Sequence, residues 1–234
     1  MYALIKYLHT CTMRSYRYVA PSMAYLLFLI FLYTVVPNPV MESYAFTSAL
    51  LFAVAAWMGY LFIDVESPNQ EMVTVLHAGG IIRLYRAKLI YNWLFTVPFA
   101  LFAVIYPALL HKFDRNPTGE ELLVSLVFHI ALAWMGIALS CWFTRKLFQS
   151  RLLSFLLLGC VIAVSFAAKS VAEELPDGLD RLVLLLPPLH RAISVLSNDG
   201  NKWTALIAVV LYGAVSSVLF LIVMRKRKLH FQKG

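Results

Sequence analysis

LLVSLVFHIALAWMGIALSCWF, residues 122–143, runs its whole length without an Asp, Glu, Lys or Arg. Crossing ~30 Å of hydrocarbon takes about 20 apolar residues in a helix, so this stretch is long enough to span a bilayer. Five further runs bounded by charge or turn residues, 19–36, 44–63, 89–110, 152–168 and 203–224, approach the same length. In lipid a helix satisfies its own backbone N–H and C=O groups, and the runs are therefore read as helices. The composition agrees. Of the 234 residues 61% are apolar and 14% charged, with a mean hydropathy of +0.76, against roughly half and a quarter in soluble domains. The expected fold is an all-α integral membrane bundle of six spans, a single domain over residues 1–234. Spans and short loops use up the chain, leaving no stretch for a separate ATPase, protease or soluble ligand-binding domain.

Charge orients the spans. With the N-terminus inside, Lys6, Arg14 and Arg17, then Arg83, Arg86 and Lys88, then Arg145, Lys146 and Arg151, then Arg225 to Lys228 with Lys233, share one side: fourteen of the 20 basic residues. The positive-inside rule then puts both termini in the cytoplasm of a cell membrane, with a bacterial inner membrane the expected setting. Asp64, Glu66 and Glu71 are the acidic residues on that side. The net charge of +8 follows from insertion and from attraction to anionic headgroups, so nucleic acid is not an expected partner while membrane lipid is. No cleavage pattern follows the first apolar run, and that span is expected to be retained. Cys11, Cys141 and Cys160 are odd in number and scattered, and read as small apolar residues.

Three segments outside the spans carry structure of their own. Residues 1–18 place Leu4, Ile5, Leu8 and Cys11 opposite Lys6, His9, Arg14 and Arg17, an amphipathic pattern that suits a helix lying on the inner membrane surface, with an ordinary basic lead-in as the alternative. Pro21 offers a break where the chain turns into the first span. Residues 64–88, DVESPNQEMVTVLHAGGIIRLYRAK, are long for a link between neighbouring spans. Ser67 can cap a helix, Pro68 would take its first position, Gln70 would complete a capping box, and Glu71 would complement the N-terminal dipole. Gly79 and Gly80 would end it after the apolar stripe of Met72, Val73, Val75 and Leu76. Residues 170–202 contain Leu179, Leu182, Val183, Leu184, Leu185 and Leu186 before Pro187 and Pro188, too apolar for a free loop and too short for a span, which fits a re-entrant hairpin on the outer side.

Several chemistries are missing. None of the ten glycines precedes a lysine, so the phosphate-cradling loop of a nucleotide hydrolase is absent, and neither a His-Glu-x-x-His nor a Gly-x-Ser-x-Gly string occurs. The chain is not expected to be an enzyme, and neither a cofactor nor a metal is implied. Within the apolar runs His129 stands out, with Ser125 one turn before it and Asn92 near an inner end. A neutral imidazole bonded to a neighbouring helix is the expected role of His129. Small residues recur four apart at Ala49 and Ala53, Ala55 and Gly59, Gly159, Ala163 and Ala167, and Gly213 and Ser217, a spacing that permits close helix contacts.

Six spans with both ends inside, a basic amphipathic entry helix, the capped helix within residues 64–88 and an apolar outer hairpin together resemble the type 2 ABC exporter permeases. The stretch beginning at Asp64 is the most local element of the likeness, with Gly79, Gly80 and Lys88 fitting the family's lead into the third span. The resemblance implies a permease without ATPase activity of its own, powered by a separate ATP-binding subunit and paired with a second permease copy or a paralogous permease. By the same resemblance Glu66, Glu71, Met72, Leu76 and Arg83 would face the ATPase. Few polar groups line the spans, so the expected cargo is hydrophobic or amphipathic, a peptide first and a lipid or drug second. Pro187 and Pro188 would form an outer gate, beside an acidic rim of Glu173, Glu174 and Asp177. The readings from another class are a small-molecule-binding membrane subunit of an importer and a non-transporting membrane scaffold.

Overall fold

Two glycines set the centre of the molecule. A Cβ on Gly136 would overlap the Phe52 carbonyl, and a Cβ on Gly59 would overlap the Ser140 hydroxyl. Those absent methyl groups let α3 (Val40–Ile63) and α6 (Gly119–Ser140) approach backbone to backbone, the way small residues drive packing where lipid is the solvent. The computed structural model describes residues 1–168, 170, 186–197 and 200–231. Among the described residues the remaining helices are α1 (Tyr2–Ser15), α2 (Val19–Leu32), α4 (Pro68–Ala78), α5 (Ile81–Leu109), α7 (Arg151–Phe166), α8 (Leu189–Ser197) and α9 (Lys202–Phe231), with a 3-10 turn, Cys141–Phe143, ending α6.

Among the described residues four helices are long and apolar enough to cross a membrane: α3, α5, α6 extended through Phe143, and α9. A fifth is reached if α1 and α2, bent by 80° against each other, are taken as one broken span. The other two expected spans correspond to shorter helices. α2 has 14 residues and α7 has 16, which at 1.5 Å per residue reach about 21 and 24 Å. The fold is thus an all-α, multi-pass membrane bundle. The chain turns between α1 and α2 at Tyr16, whose φ is 54°, and not at Pro21 as the sequence suggested. Pro21 sits in the first turn of α2, where its missing N–H breaks no helical bond.

α5 and α9 pack on α6, and α8 lies against α3 and α9. Leu189, Ala192 and Leu196 of α8 are buried with Ala45, Ala49, Phe52 and Ala56 of α3. On α9, Gly213 receives the Trp134 indole, where a Cβ would collide with the ring, and Trp142 Nε1 donates to Ser216 Oγ at 2.8 Å. Of the other small-residue repeats, Gly159 meets nothing within 4 Å. At one end of the bundle the α2–α3 and α5–α6 links are stitched together. Asn38 N–H donates to the Lys112 carbonyl at 3.2 Å, Asp114 N–H donates to the Asn38 carbonyl at 2.9 Å, and Phe113 inserts between Tyr33 and Tyr44 with centroid distances of 5.7 and 5.1 Å. α4 occupies the opposite end.

His129 ties α6 to α3. Its Nδ1 is 2.7 Å from the Ser125 carbonyl and its Nε2 is 3.0 Å from Thr47 Oγ1. A carbonyl only accepts, so Nδ1 carries the proton, and in the neutral ring Nε2 is left as the acceptor facing the Thr47 hydroxyl.

Candidate functional site

α4 is held at both ends by its own sequence. Ser67 Oγ accepts from the Gln70 N–H at 3.3 Å, with Pro68 in the first turn. At the other end Gly79 takes φ +75° and its N–H returns to the Leu76 carbonyl, while Gly80 N–H donates to the Val75 carbonyl at 3.0 Å. A left-handed residue there favours glycine. Arg83 Nη1 adds a bond to the Ala78 carbonyl at 3.1 Å, placing a cation at the negative end of the helix.

The inner face of α4 meets a buried cluster of charge. Lys88, 1% exposed on α5, places Nζ 2.9 Å from Glu66 Oε2, 3.5 Å from Glu71 Oε1 and 2.9 Å from the Ile63 carbonyl. Each of its three N–H donors therefore has an acceptor close by. Glu66 Oε1 accepts from Thr74 Oγ1 at 2.7 Å and from the Tyr7 hydroxyl of α1 at 3.1 Å. Glu71 Oε2 lies 3.0 Å from Lys146 Nζ, just beyond the 3-10 turn. The two ammonium groups sit over the Tyr85 ring, 5.3 and 5.2 Å from its centroid, at a distance where the ring quadrupole attracts them. Asp64 completes the cluster: its Oδ2 accepts from the Arg145 N–H at 2.8 Å, and its carbonyl accepts from Arg17 Nη1 at 3.1 Å and Arg145 Nη2 at 3.3 Å.

The ends of α1, α3, α4, α5 and α6 therefore converge on one set of ion pairs. Burial acts to raise the Glu71 pKa, but Lys88 and Lys146 outweigh it and hold the carboxyl below its ordinary 4.5. Charges removed from water this far persist when paired, and here Glu66 and Glu71 each face a lysine while Glu66 Oε1 also accepts from Thr74 and Tyr7.

Of the five residues the sequence directed at an ATPase, the structure divides the set. Met72 and Leu76 stand on the outer face of α4, 69% and 73% exposed, with Val73 beside them. Arg83 is exposed near the α4–α5 turn. Glu66 and Glu71 point the other way, into the bundle, because Lys88 needs both carboxylates. Their part is to fasten α4, and the outer face is left to side chains without charge. The sequence also missed Lys88 itself, which read as an edge residue, and the return of Arg145 and Lys146 from a distant loop. One signal was present: Asp64, Glu66 and Glu71 fall together within eight residues, on the side of the bundle where the charged residues are otherwise mostly basic. Asn92, one turn beyond Lys88, is 1% exposed and neither side-chain atom has a hydrogen-bond partner.

Pro187 is buried and Pro188 half-buried at the start of α8, where the Leu189 N–H bonds the Pro187 carbonyl at 2.7 Å. Leu179, Leu182, Val183, Leu184, Leu185 and the acidic rim of Glu173, Glu174 and Asp177 lie outside the described residues, so only the second arm of the expected hairpin can be placed. No group of three metal-ligating side chains forms among the described residues.

These features define a multi-pass helical membrane protein with a capped peripheral helix locked to its core by buried ion pairs. No protein-family model, curated protein or solved structure matches the chain.

Proposed function

We propose that this protein is the membrane-spanning permease subunit of an ATP-driven exporter. In this reading α4 is its coupling helix, and both termini and α4 lie in the cytoplasm. It acts with a separate ATP-binding subunit and a second permease copy or a paralogue, α2 and α7 completing six spans in the assembled complex. The supporting observation is the two-sidedness of α4. Its outer face presents Met72, Val73 and Leu76 uncovered, an apolar knob that a nucleotide-driven subunit can grip, while its inner face is ion-paired through Glu71 to α5 and to the loop after α6. A push on the knob is carried into two membrane helices as a rigid-body shift instead of being lost in a loop.

The cargo is hydrophobic or amphipathic, a cationic peptide first and a lipid or drug second. Apart from the cluster at the α4 end, the buried polar groups of the long helices are hydroxyls, Asn92 and His129, too few to replace the hydration of an ion or sugar. The protein purified with its native partners should retain an ATP-binding subunit. After reconstitution, amphipathic peptides should stimulate ATP hydrolysis and small polar solutes should not. A native complex lacking any ATP-binding protein would overturn the reading, and stimulation by lipid alone would replace the peptide with a lipid cargo.

A further inference from the structure

Three arginines from separate segments meet at the last turn of α3. Arg17, in the turn between α1 and α2, donates from Nη1 to the Asp64 carbonyl at 3.1 Å, and Arg145, just beyond the 3-10 turn, donates from Nη2 to the same oxygen at 3.3 Å. Arg151 opens α7. Its backbone is held there by Tyr60, one turn before Asp64 on α3, whose hydroxyl donates to the Arg151 carbonyl at 2.9 Å. The three side chains stand close enough to act on one another: burial first, and then the charges of Arg145 and Arg151, hold the Arg17 pKa below its ordinary value.

This gathering is short of negative charge. Glu66 and Glu71 are taken by Lys88 and Lys146, which leaves Asp64. Its Oδ2 is bonded to the Arg145 backbone N–H at 2.8 Å and reaches Arg145 Nε only at 4.0 Å. The C-terminal end of a helix adds about half a negative charge, so three guanidiniums face about one and a half negative charges. Donors are left over as well. Of the five N–H groups a guanidinium carries, Arg17 and Arg145 each give one to the Asp64 carbonyl, and the Arg151 side chain bonds no described residue. Like charges drawn together with donors to spare are complementary to an anion with several oxygens, and a phosphate matches the guanidinium fork.

The position of the cluster selects the source of that phosphate. Arg17 stands two residues before Val19, the first of α2, and Arg151 is the first residue of α7. Beyond them the exposed side chains turn to hydrocarbon at once, Val19 and Met23 on α2 and Leu152, Leu153 and Phe155 on α7, while Tyr16 is exposed beside Arg17. Cations and an aromatic ring at the head of exposed apolar helices mark the headgroup level of a membrane. With Asp64 already engaged, a headgroup amine finds no free carboxylate among the described residues here, and a headgroup of net negative charge is favoured over a zwitterionic one. We infer that the α1–α2 turn, the end of α3 and the start of α7 form a binding site for an anionic phospholipid of the leaflet on the α4 side, its phosphate held by Arg17, Arg145 and Arg151 and its acyl chains against the exposed starts of α2 and α7. The site requires only that the chain spans a membrane, and stands apart from the export reading.

Delipidated full-length protein, titrated in native mass spectrometry with phosphatidylglycerol or phosphatidylcholine of matched chains, tests the site. One phosphatidylglycerol should be retained per chain, in preference to phosphatidylcholine. Arg151→Gln changes an exposed side chain that bonds no described residue and should weaken retention about fivefold, the equivalent of ~1 kcal/mol for a basic residue at an anionic surface. Arg17→Gln with Arg151→Gln should weaken it further. Arg86→Gln removes an exposed cation from the same side of the bundle and should change nothing. Equal retention of the two lipids or an unaffected Arg151→Gln overturns the site, and so does an equal loss in Arg86→Gln, which would show a diffuse attraction to basic residues. Release of the lipid by millimolar inorganic phosphate would make this a soluble-anion site. Loss of a native protein partner in Arg151→Gln with the lipid count unchanged would give the arginines to an acidic protein segment. Either result also defeats the proposal.

Discussion

Lys88 Nζ lies 2.9 Å from Glu66 Oε2 at a point where both side chains are almost wholly withdrawn from solvent. The pair joins α5 to the segment between α3 and α4, and Glu71 and Lys146 extend it to α4 and to the loop after α6. Removing Lys88 strands the Glu66 carboxylate, because a buried charge without its partner loses both water and its counter-ion, whereas removing Glu66 leaves Lys88 facing Glu71 at 3.5 Å.

Lys88→Met should therefore destabilise the protein by about 3–5 kcal/mol, a loss typical of half-broken buried pairs. The double variant Lys88→Met with Glu66→Gln should recover part of it, since no charge is then left unpaired. Unfolding in mixed micelles, followed by helical signal, would measure both. Strict additivity of Lys88→Met and Glu66→Gln would contradict the pairing.

Acid should loosen α4 before it loosens the rest of the bundle. The folded-state pKa of Glu71 is depressed below 4.5, so the folded protein holds fewer protons than the unfolded chain as pH falls through that value. Its contribution is complete above the unfolded pKa and is lost as pH drops through the folded one. Hydrogen exchange of α4 amides should accelerate on acidification, and Glu71→Gln should exchange fast at neutral pH with a shallower pH dependence.

Gly136→Val should disrupt the α3–α6 contact, forcing the helices apart at the Phe52 carbonyl, with a destabilisation of about 1–3 kcal/mol or more from overpacking. Gly159→Ala, where the added methyl meets nothing within 4 Å, should be neutral or slightly stabilising through helix propensity. Equal effects at the two sites would show that the close approach has been misplaced.

The outer face of α4 can be changed without touching its anchors. Met72→Asp and Leu76→Asp lie on exposed positions and should leave stability within about 0.5 kcal/mol, while retention of the ATP-binding subunit falls at least about tenfold, or 1.4 kcal/mol. Undiminished co-purification would remove the coupling role from α4.

Sidedness can be read with impermeant thiol labels on a background lacking Cys11, Cys141 and Cys160. A cysteine at Asn116 should label in intact cells and one at Gln70 only after permeabilisation, as the distribution of basic residues requires. The reverse pattern would invert the proposed topology.

Local signals were legible along the chain because their causes are local. The uncharged stretch from Leu122 to Phe143 marks a spanning helix by length and hydropathy alone, and Ser67, Pro68 and Gly79 mark the limits of α4 because capping acts within a few residues. His129 could be read as bonded to a neighbouring helix because a lone imidazole in lipid must find a polar partner. The tertiary structure decided what lies far apart in sequence. That α2 stops at Leu32, short of the end of the apolar run 19–36, is invisible to hydropathy, because Val35 and Val36 keep the run apolar beyond it. Which small residues matter was equally hidden: Gly136 meets α3 and Gly159 meets nothing, although both are glycines in apolar helices. Above all, Lys88 reads as one more basic edge residue until Glu66, Glu71 and Lys146 arrive beside it from other segments. Charge spacing along a chain reveals partners one helical turn away, whereas a buried ion pair between segments exists only where packing excludes water and brings the two ends together.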